Sequence, residues 1–213
     1  MTEKEFKIMR KLVAYYMRRL YKRGLTTASG GNVSVRLNEG ILITPSAMDK
    51  GSIKGNQVGM ISFKGKNLTP ALKPSIETNM HLELYRVRKD INAVVHAHPP
   101  IATSFTATSH TINCSFIAEA RAIIGTPAIA PYELMGTERL AQTVAEVASD
   151  SGINVIMLEN HGIVCLGKDL LTAFDRMEVF EAAARMTFII TLLGGEKPLS
   201  DERLKEIDRM MHS

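Results

Sequence analysis

After Asp90 the chain carries a β-branched run, Ile91 to Val95, that continues through His98 and is stopped by Pro99. Such residues suit a pleated strand, and a proline cannot donate to the ladder that would extend it. A strand of this kind needs a sheet around it, and the rest of the chain shows which kind. Val33, Val35 and Leu37 alternate as a strand, and Asn38-Glu39-Gly40 turns the chain into a second one, Ile41 to Thr44, as a hairpin. A short strand is expected within Gln57 to Phe63, a weaker one over Thr111 to Ile117, and further ones over Ile153 to Leu158 and Gly162 to Leu166.

Helical periodicity fills the intervals. Phe6, Met9, Val13, Tyr16 and Leu20 recur at steps of three and four, with Thr2 and Glu5 placed for a capping box and Gly24 at the end. Ser75 is the expected N-cap of a helix carrying Ile76, Met80, Leu84 and Val87 on one face. Thr137 to Ala148, a long stretch from Leu170 to Gly194-Gly195, and Ser200 to Met211 complete the set. Hairpin-joined strands mixed with helix-flanked strands predict one α/β domain over residues 1–213. Its central sheet should be mostly antiparallel or mixed, with helices on both faces, and not a strict βαβ repeat.

Composition narrows the function classes. The formal net charge of +4 is spread along the chain, and its densest stretch, Arg18 to Arg23, closes a helix, so a nucleic-acid footprint is not expected. The Leu170 to Leu193 stretch is broken by Asp175, Arg176, Glu178, Glu181 and Arg185, and no apolar run reaches the ~18 residues a bilayer demands. Met1 to Lys11 has charges in place of a signal core, and Cys114 and Cys165 fit no metal spacing, so we expect a cytoplasmic protein with reduced thiols.

Three histidines carry the chemistry. Side chains at i and i+2 of a strand share a face, so His96 and His98 present two imidazoles together at a strand's C-terminal end. Glu159-Asn160-His161-Gly162 places a third on a tight turn at a sheet edge between two strands. Neutral imidazole is the commonest metal ligand, and a catalytic zinc takes three protein ligands with one position open. Alone, His-x-His also fits two stacked histidines, and His161 a turn histidine bonded to backbone. Ser75-Ile76-Glu77 taken alone reads more readily as an ordinary helix start than as an anion site, and Gly30-Gly31-Asn32 equally as a phosphate-holding turn or a plain one.

The ordered series Gly31-Asn32-Val33-Ser34-Val35-Arg36, Leu42-Ile43-Thr44-Pro45, Pro74-Ser75-Ile76-Glu77, Ala93-Val94-Val95-His96-Ala97-His98, Ala130-Pro131-Tyr132 and Asn160-His161-Gly162 resembles the class II aldolase/adducin-head family, nearest its L-fuculose-1-phosphate aldolase branch. The resemblance implies one Zn2+ per subunit on His96, His98 and His161, with Glu77 as acid/base and occasional metal contact. It implies phosphate binding by Asn32, Ser46 with Ala47 beside it, and Ser75. It further implies a homotetramer in which Tyr132 reaches a neighbour's site, and a sugar-phosphate substrate. Departures from the pattern are Ile76 where a second serine is usual, Ala47 where a glycine is usual, and a C-terminal tail without tyrosine. The family's 4-epimerases carry aspartate where Glu77 stands. Its methylthioribulose-phosphate dehydratases share the zinc triad, and its adducin heads bind without catalysing.

Overall fold

The structure is a computed structural model that describes residues 2–212; the two ends of the expected 1–213 domain, Met1 and Ser213, lie outside the described residues. Seven strands form one sheet in the order β3-β2-β1-β4-β7-β6-β5. They are β1 (Asn32–Arg36), β2 (Gly40–Ile43), β3 (Gly59–Ser62), β4 (Ala93–Ala97), β5 (Ala128–Ala130), β6 (Val155–Leu158) and β7 (Gly162–Gly167). Every neighbouring pair is antiparallel except β5 with β6, so the sheet is mixed, as expected.

Alternation along the two central strands divides the core in two. Ala93, Val95 and Ala97 of β4, with Ile163 and Cys165 of β7, pack under α1 (Glu3–Lys22), α3 (Pro100–Phe105), α4 (Ala118–Ile124) and α6 (Leu170–Leu193). Val94, Val164 and Leu166 point the other way, into a cluster with α2 (Thr78–Val87) and α5 (Glu138–Ala148). Because both faces are covered, β4 and β7 are apolar at nearly every position. A last helix, α7 (Asp201–His212), rests on α4, where Arg121 makes a two-pronged ion pair with Asp208.

The α1 start is the expected reciprocal cap: Thr2 N–H donates to Glu5 Oε2 at 2.7 Å and Glu5 N–H to Thr2 Oγ1 at 3.3 Å. Gly24 follows with φ +69°, a left-handed value that glycine adopts without penalty.

Three expectations are corrected. Residues 111–117 hold no strand; Asn113 Oδ1 accepts from Ser115 N–H and turns the chain into a 3-10 turn, Cys114–Phe116, a local bond that competes with pairing. Ser75 is not the N-cap of α2, which begins at Thr78; a turn closed by Thr78 N–H on the Ser75 carbonyl precedes it. The buried face of α2 is accordingly Met80, His81, Leu84 and Tyr85, while Ile76 and Val87 are exposed. Third, the His161 turn joins two interior strands at the end of the sheet, not at its edge.

Helices α3 and α4 and strand β5 were not anticipated. Pro100 at the first position of α3 and Gly125 (φ +68°) after α4 are their terminal signals.

Candidate metal centre

Strand pairing assembles the site. Asn32 of β1 and Val164 of β7 lie opposite His96 of β4 on its two sides. His98 stands one residue beyond β4, where its N–H is held by the Leu25 carbonyl. Leu158 pairs with Gly162, leaving 159–161 as a tight turn in which Asn160 takes φ +52° and His161 N–H returns to the Leu158 carbonyl. Asparagine tolerates that left-handed value better than most residues, which is why it precedes the histidine here.

The three imidazoles converge. Their ring centroids are 4.9, 4.9 and 5.5 Å apart, and one ligand atom from each lies within 4.8 Å of the others. Gly162 makes this approach feasible: a Cβ there would stand 2.5 Å from His98 Cδ2 and 2.7 Å from the Ala97 carbonyl. At Gly31 (φ +66°) a Cβ would likewise stand 2.7 Å from the His96 carbonyl.

His96 Nδ1–H donates to the Ile163 carbonyl at 3.0 Å, which leaves its Nε2 lone pair facing the cluster. That Nε2 is buried without a hydrogen-bond partner, as are Glu77 Oε1 and His161 Nδ1. Buried orphans of this kind are costly unless something satisfies them, and a set of imidazole nitrogens and a carboxylate suits a divalent metal ion. The triad can hold one. Burial pushes both His96 and His98 down, His98 to about 3, which favours the neutral imidazole form that ligates metal.

Glu77 completes the centre from the turn before α2. Its Oε2 lies 3.3 Å from His96 Nε2 and its Oε1 3.2 Å from His161 Nε2. Burial alone would raise this carboxyl. His96, the contact with His161 and the Asn32 amide outweigh burial and hold it well below the usual carboxylate range, so it stands ionised.

Asn32 Nδ2–H donates to Glu77 Oε2 at 2.7 Å, and since the carboxylate can only accept, this fixes the amide's orientation. Asn32 Oδ1 then accepts from His81 Nε2–H at 2.5 Å. His81 Nδ1 accepts from the Ser34 hydroxyl at 2.6 Å, and Ser34 Oγ from the Tyr85 hydroxyl at 2.8 Å. Sequence reasoning missed His81, although its position four residues after Glu77 puts both on one side of a helical turn.

The expected phosphate residues cluster at the same end of the sheet. Ser46 Oγ accepts from Ile76 N–H at 3.1 Å, and Ser75 Oγ from Glu77 N–H at 3.3 Å. Ala47 holds φ +53°. Tyr132 is not part of this cluster within the chain; it is 55% exposed on the segment after β5, where its N–H donates to Glu159 Oε2 at 2.8 Å. Among the described residues no helix is long and apolar enough to cross a membrane.

Comparison with known proteins agrees with this picture. Residues 11–188 match the family described as Class II Aldolase and Adducin N-terminal domain. The chain is 35% identical over 176 residues to a protein of Methanocaldococcus jannaschii called L-fuculose phosphate aldolase, a match covering 83% of this chain and 93% of that one. It is 32% identical over 184 residues to a protein of Escherichia coli O6:H1 called 3-oxo-tetronate 4-phosphate decarboxylase, covering 84% of each. A solved structure of L-fuculose 1-phosphate aldolase superposes with a TM-score of 0.87 at 29% identity, over 96% of both chains. With the sheet order, the histidine triad and these matches in agreement, the chain belongs to the class II aldolase and adducin N-terminal domain family, as an aldolase-type lyase.

Proposed function

We propose that the chain, acting as one class II aldolase domain over its length, is a zinc-dependent aldolase. It cleaves a ketose 1-phosphate of the L-fuculose 1-phosphate type to dihydroxyacetone phosphate and a small aldehyde. The observation that carries this reading is the ionised Glu77, held by Asn32 against the nitrogens of His96 and His161. His96, His98 and His161 would hold the ion, which in such a site acts as a Lewis acid on negative charge developing at substrate oxygens.

Within this reading Glu77 is the acid/base that exchanges a proton with C3 of the sugar. As a carboxylate it is ready to remove that proton in the condensation direction, and to return it in cleavage. Tyr132, from a neighbouring subunit of a homotetramer, takes the proton of the C4 hydroxyl. Its exposure beside exposed Leu134 and Met135 supports a place at a subunit contact. Ser46 and Ser75 each accept a backbone N–H and keep their own hydroxyl protons to offer a phosphate, with Ala47 adjoining. The Asn32 amide is committed to Glu77 and His81. The two free cysteines, Cys114 and Cys165, both buried thiols, support a cytoplasmic setting.

A second reading, decarboxylation of a phosphorylated 3-oxo acid, is favoured by the 32% identity to the Escherichia coli O6:H1 protein of that name. Both reactions break a carbon–carbon bond beside a carbonyl and leave a carbanion to be stabilised.

Release of dihydroxyacetone phosphate from L-fuculose 1-phosphate and L-ribulose 1-phosphate, coupled to a hydride-transfer assay, tests the first reading. Wild type, an EDTA-treated sample and Glu77→Gln are compared. Metal-dependent release that Glu77→Gln abolishes supports the aldolase. No release from either sugar by a metal-loaded protein refutes it and turns attention to the phosphorylated oxo acid.

A further inference from the structure

Lys50 is an unusual residue for a protein interior. It is 1% exposed, and lysine is almost never buried without a partner of opposite charge. No carboxylate among the described residues lies within ion-pair distance of it. Among the described residues its ammonium donates to one acceptor, the carbonyl of Pro45, in a short contact. Burial with nothing to oppose it draws its pKa down to about 8. An uncompensated buried cation carries a desolvation cost, and the chain retains it at one particular place.

That place is the loop 44–50, where the Lys50 side chain folds back on Pro45. The loop is tied on one side to the Gly30-Gly31 turn through Lys50 N–H and the Ala28 carbonyl, 2.8 Å. On the other side it is tied to the segment entering α2, through Ser46 N–H to the Lys73 carbonyl at 3.2 Å and Ile76 N–H to Ser46 Oγ at 3.1 Å. Ser46, Ala47 and Ser75 are therefore joined in one braced segment, and the carbonyl of Pro45, next to Ser46, holds the buried Lys50 ammonium. Asp49, the nearest acidic residue in sequence, accepts from Gly51 N–H through Oδ1 at 2.9 Å.

We propose that Lys50 is the fixed positive charge of this site, a positioning residue whose missing counter-charge is supplied by the phosphate of a bound phosphomonoester. This rests on the phosphorylated substrate proposed above. Lys50 does not touch the reacting carbons; from its place at the Pro45 carbonyl it favours a dianion on Ser46 and Ser75, and so selects phosphorylated over unphosphorylated substrates.

Two variants separate charge from mere bracing. Lys50→Gln keeps a donor for the Pro45 carbonyl and removes the charge; Lys50→Met removes both. Binding of inorganic phosphate to the metal-loaded protein is measured by calorimetry, with thermal unfolding alongside. The expected result is that Lys50→Gln unfolds at or above the wild-type temperature yet binds phosphate about ten- to a hundredfold more weakly, the scale of one charge-assisted interaction. In turnover the loss should appear in KM for the phosphorylated sugar and leave kcat largely unchanged. Wild-type phosphate affinity in Lys50→Gln would overturn the proposal and leave Lys50 as a brace.

Should both variants fail to fold, 15N-lysine spectra of the wild type decide. An exchange-protected ammonium signal that moves on phosphate addition supports the proposal, and the absence of any moving signal at saturation refutes it. Because phosphate binding is read without turnover, loss of the aldolase reading and loss of the Lys50 assignment are separate outcomes.

Discussion

The Asn32 amide bridges Glu77 and His81, donating to the carboxylate at 2.7 Å and accepting from the imidazole at 2.5 Å. Glu77 is thereby oriented by a side chain that is itself held from behind, through His81, Ser34 and Tyr85. Asn32→Ala should leave metal content near one per chain and lower kcat about ten- to a hundredfold, since a hydrogen bond to a charged group is worth roughly 1.5–3 kcal/mol. Metal analysis with steady-state kinetics checks this. A variant that keeps full kcat would show that Glu77 needs no such support.

His81 makes acid sensitivity a property of the fold. Burial, first, and the neighbouring His96 depress its pKa from 6.5 to about 3, so the folded form holds it neutral. An unfolded chain binds a proton at this position below pH about 6.5, so its contribution to stability is complete above that pH and declines as pH falls towards 3. The slope is about 1.4 kcal/mol per pH unit for each such imidazole. Denaturant titrations of the metal-free protein from pH 8 to 4 should show this decline beginning near 6.5, above the carboxylate range. Stability that stays level down to pH 5 would contradict it.

Gly162→Ala should be damaging despite its small size. Its Cβ would enter the space of His98 Cδ2 and the Ala97 carbonyl, and overpacking of this kind costs about 1–3 kcal/mol. The expected outcome is a lowered unfolding temperature together with weakened zinc binding, measured by competition with a chromogenic chelator. Wild-type zinc affinity in this variant would mean the histidines can adjust.

Ala47 runs the opposite way. It holds φ +53°, a left-handed backbone that costs an L residue roughly 1–2 kcal/mol and glycine far less. Ala47→Gly should therefore stabilise the protein by about 0.5–1 kcal/mol after glycine's greater unfolded-state freedom is subtracted. Unfolding in urea would register the change, and a destabilised variant would rule out strain at this loop.

Much of this was legible in the sequence, for identifiable reasons. Strand period alone puts His96 and His98 on one face, and the Asn160-His161-Gly162 turn lies where two apolar strands demanded one. Where local bonding competed with pattern, the reading failed. Asn113 turned an apolar stretch into a 3-10 turn, and the Ser75 carbonyl delayed the helix start by a turn, which moved the buried face from Ile76 to His81. Lys50 escaped notice because a lysine in a polar loop looks solvated in one dimension. Its burial appears only once the loop is tied to the distant Ala28 and Lys73 carbonyls.

The pairing of β4 with β7 also governs when the centre can come into being. His96 and the Ile163 carbonyl that orients it are 67 positions apart, and between them the chain must lay down β5, β6 and three helices. An incomplete chain therefore offers scattered imidazoles and no chelate. Metal capture is then a late checkpoint that rewards only the finished topology, adding stability in proportion to the logarithm of free metal concentration. A cell starved of that metal would carry an intact but more easily unfolded protein, so proteolytic turnover of this chain should track metal supply as well as synthesis.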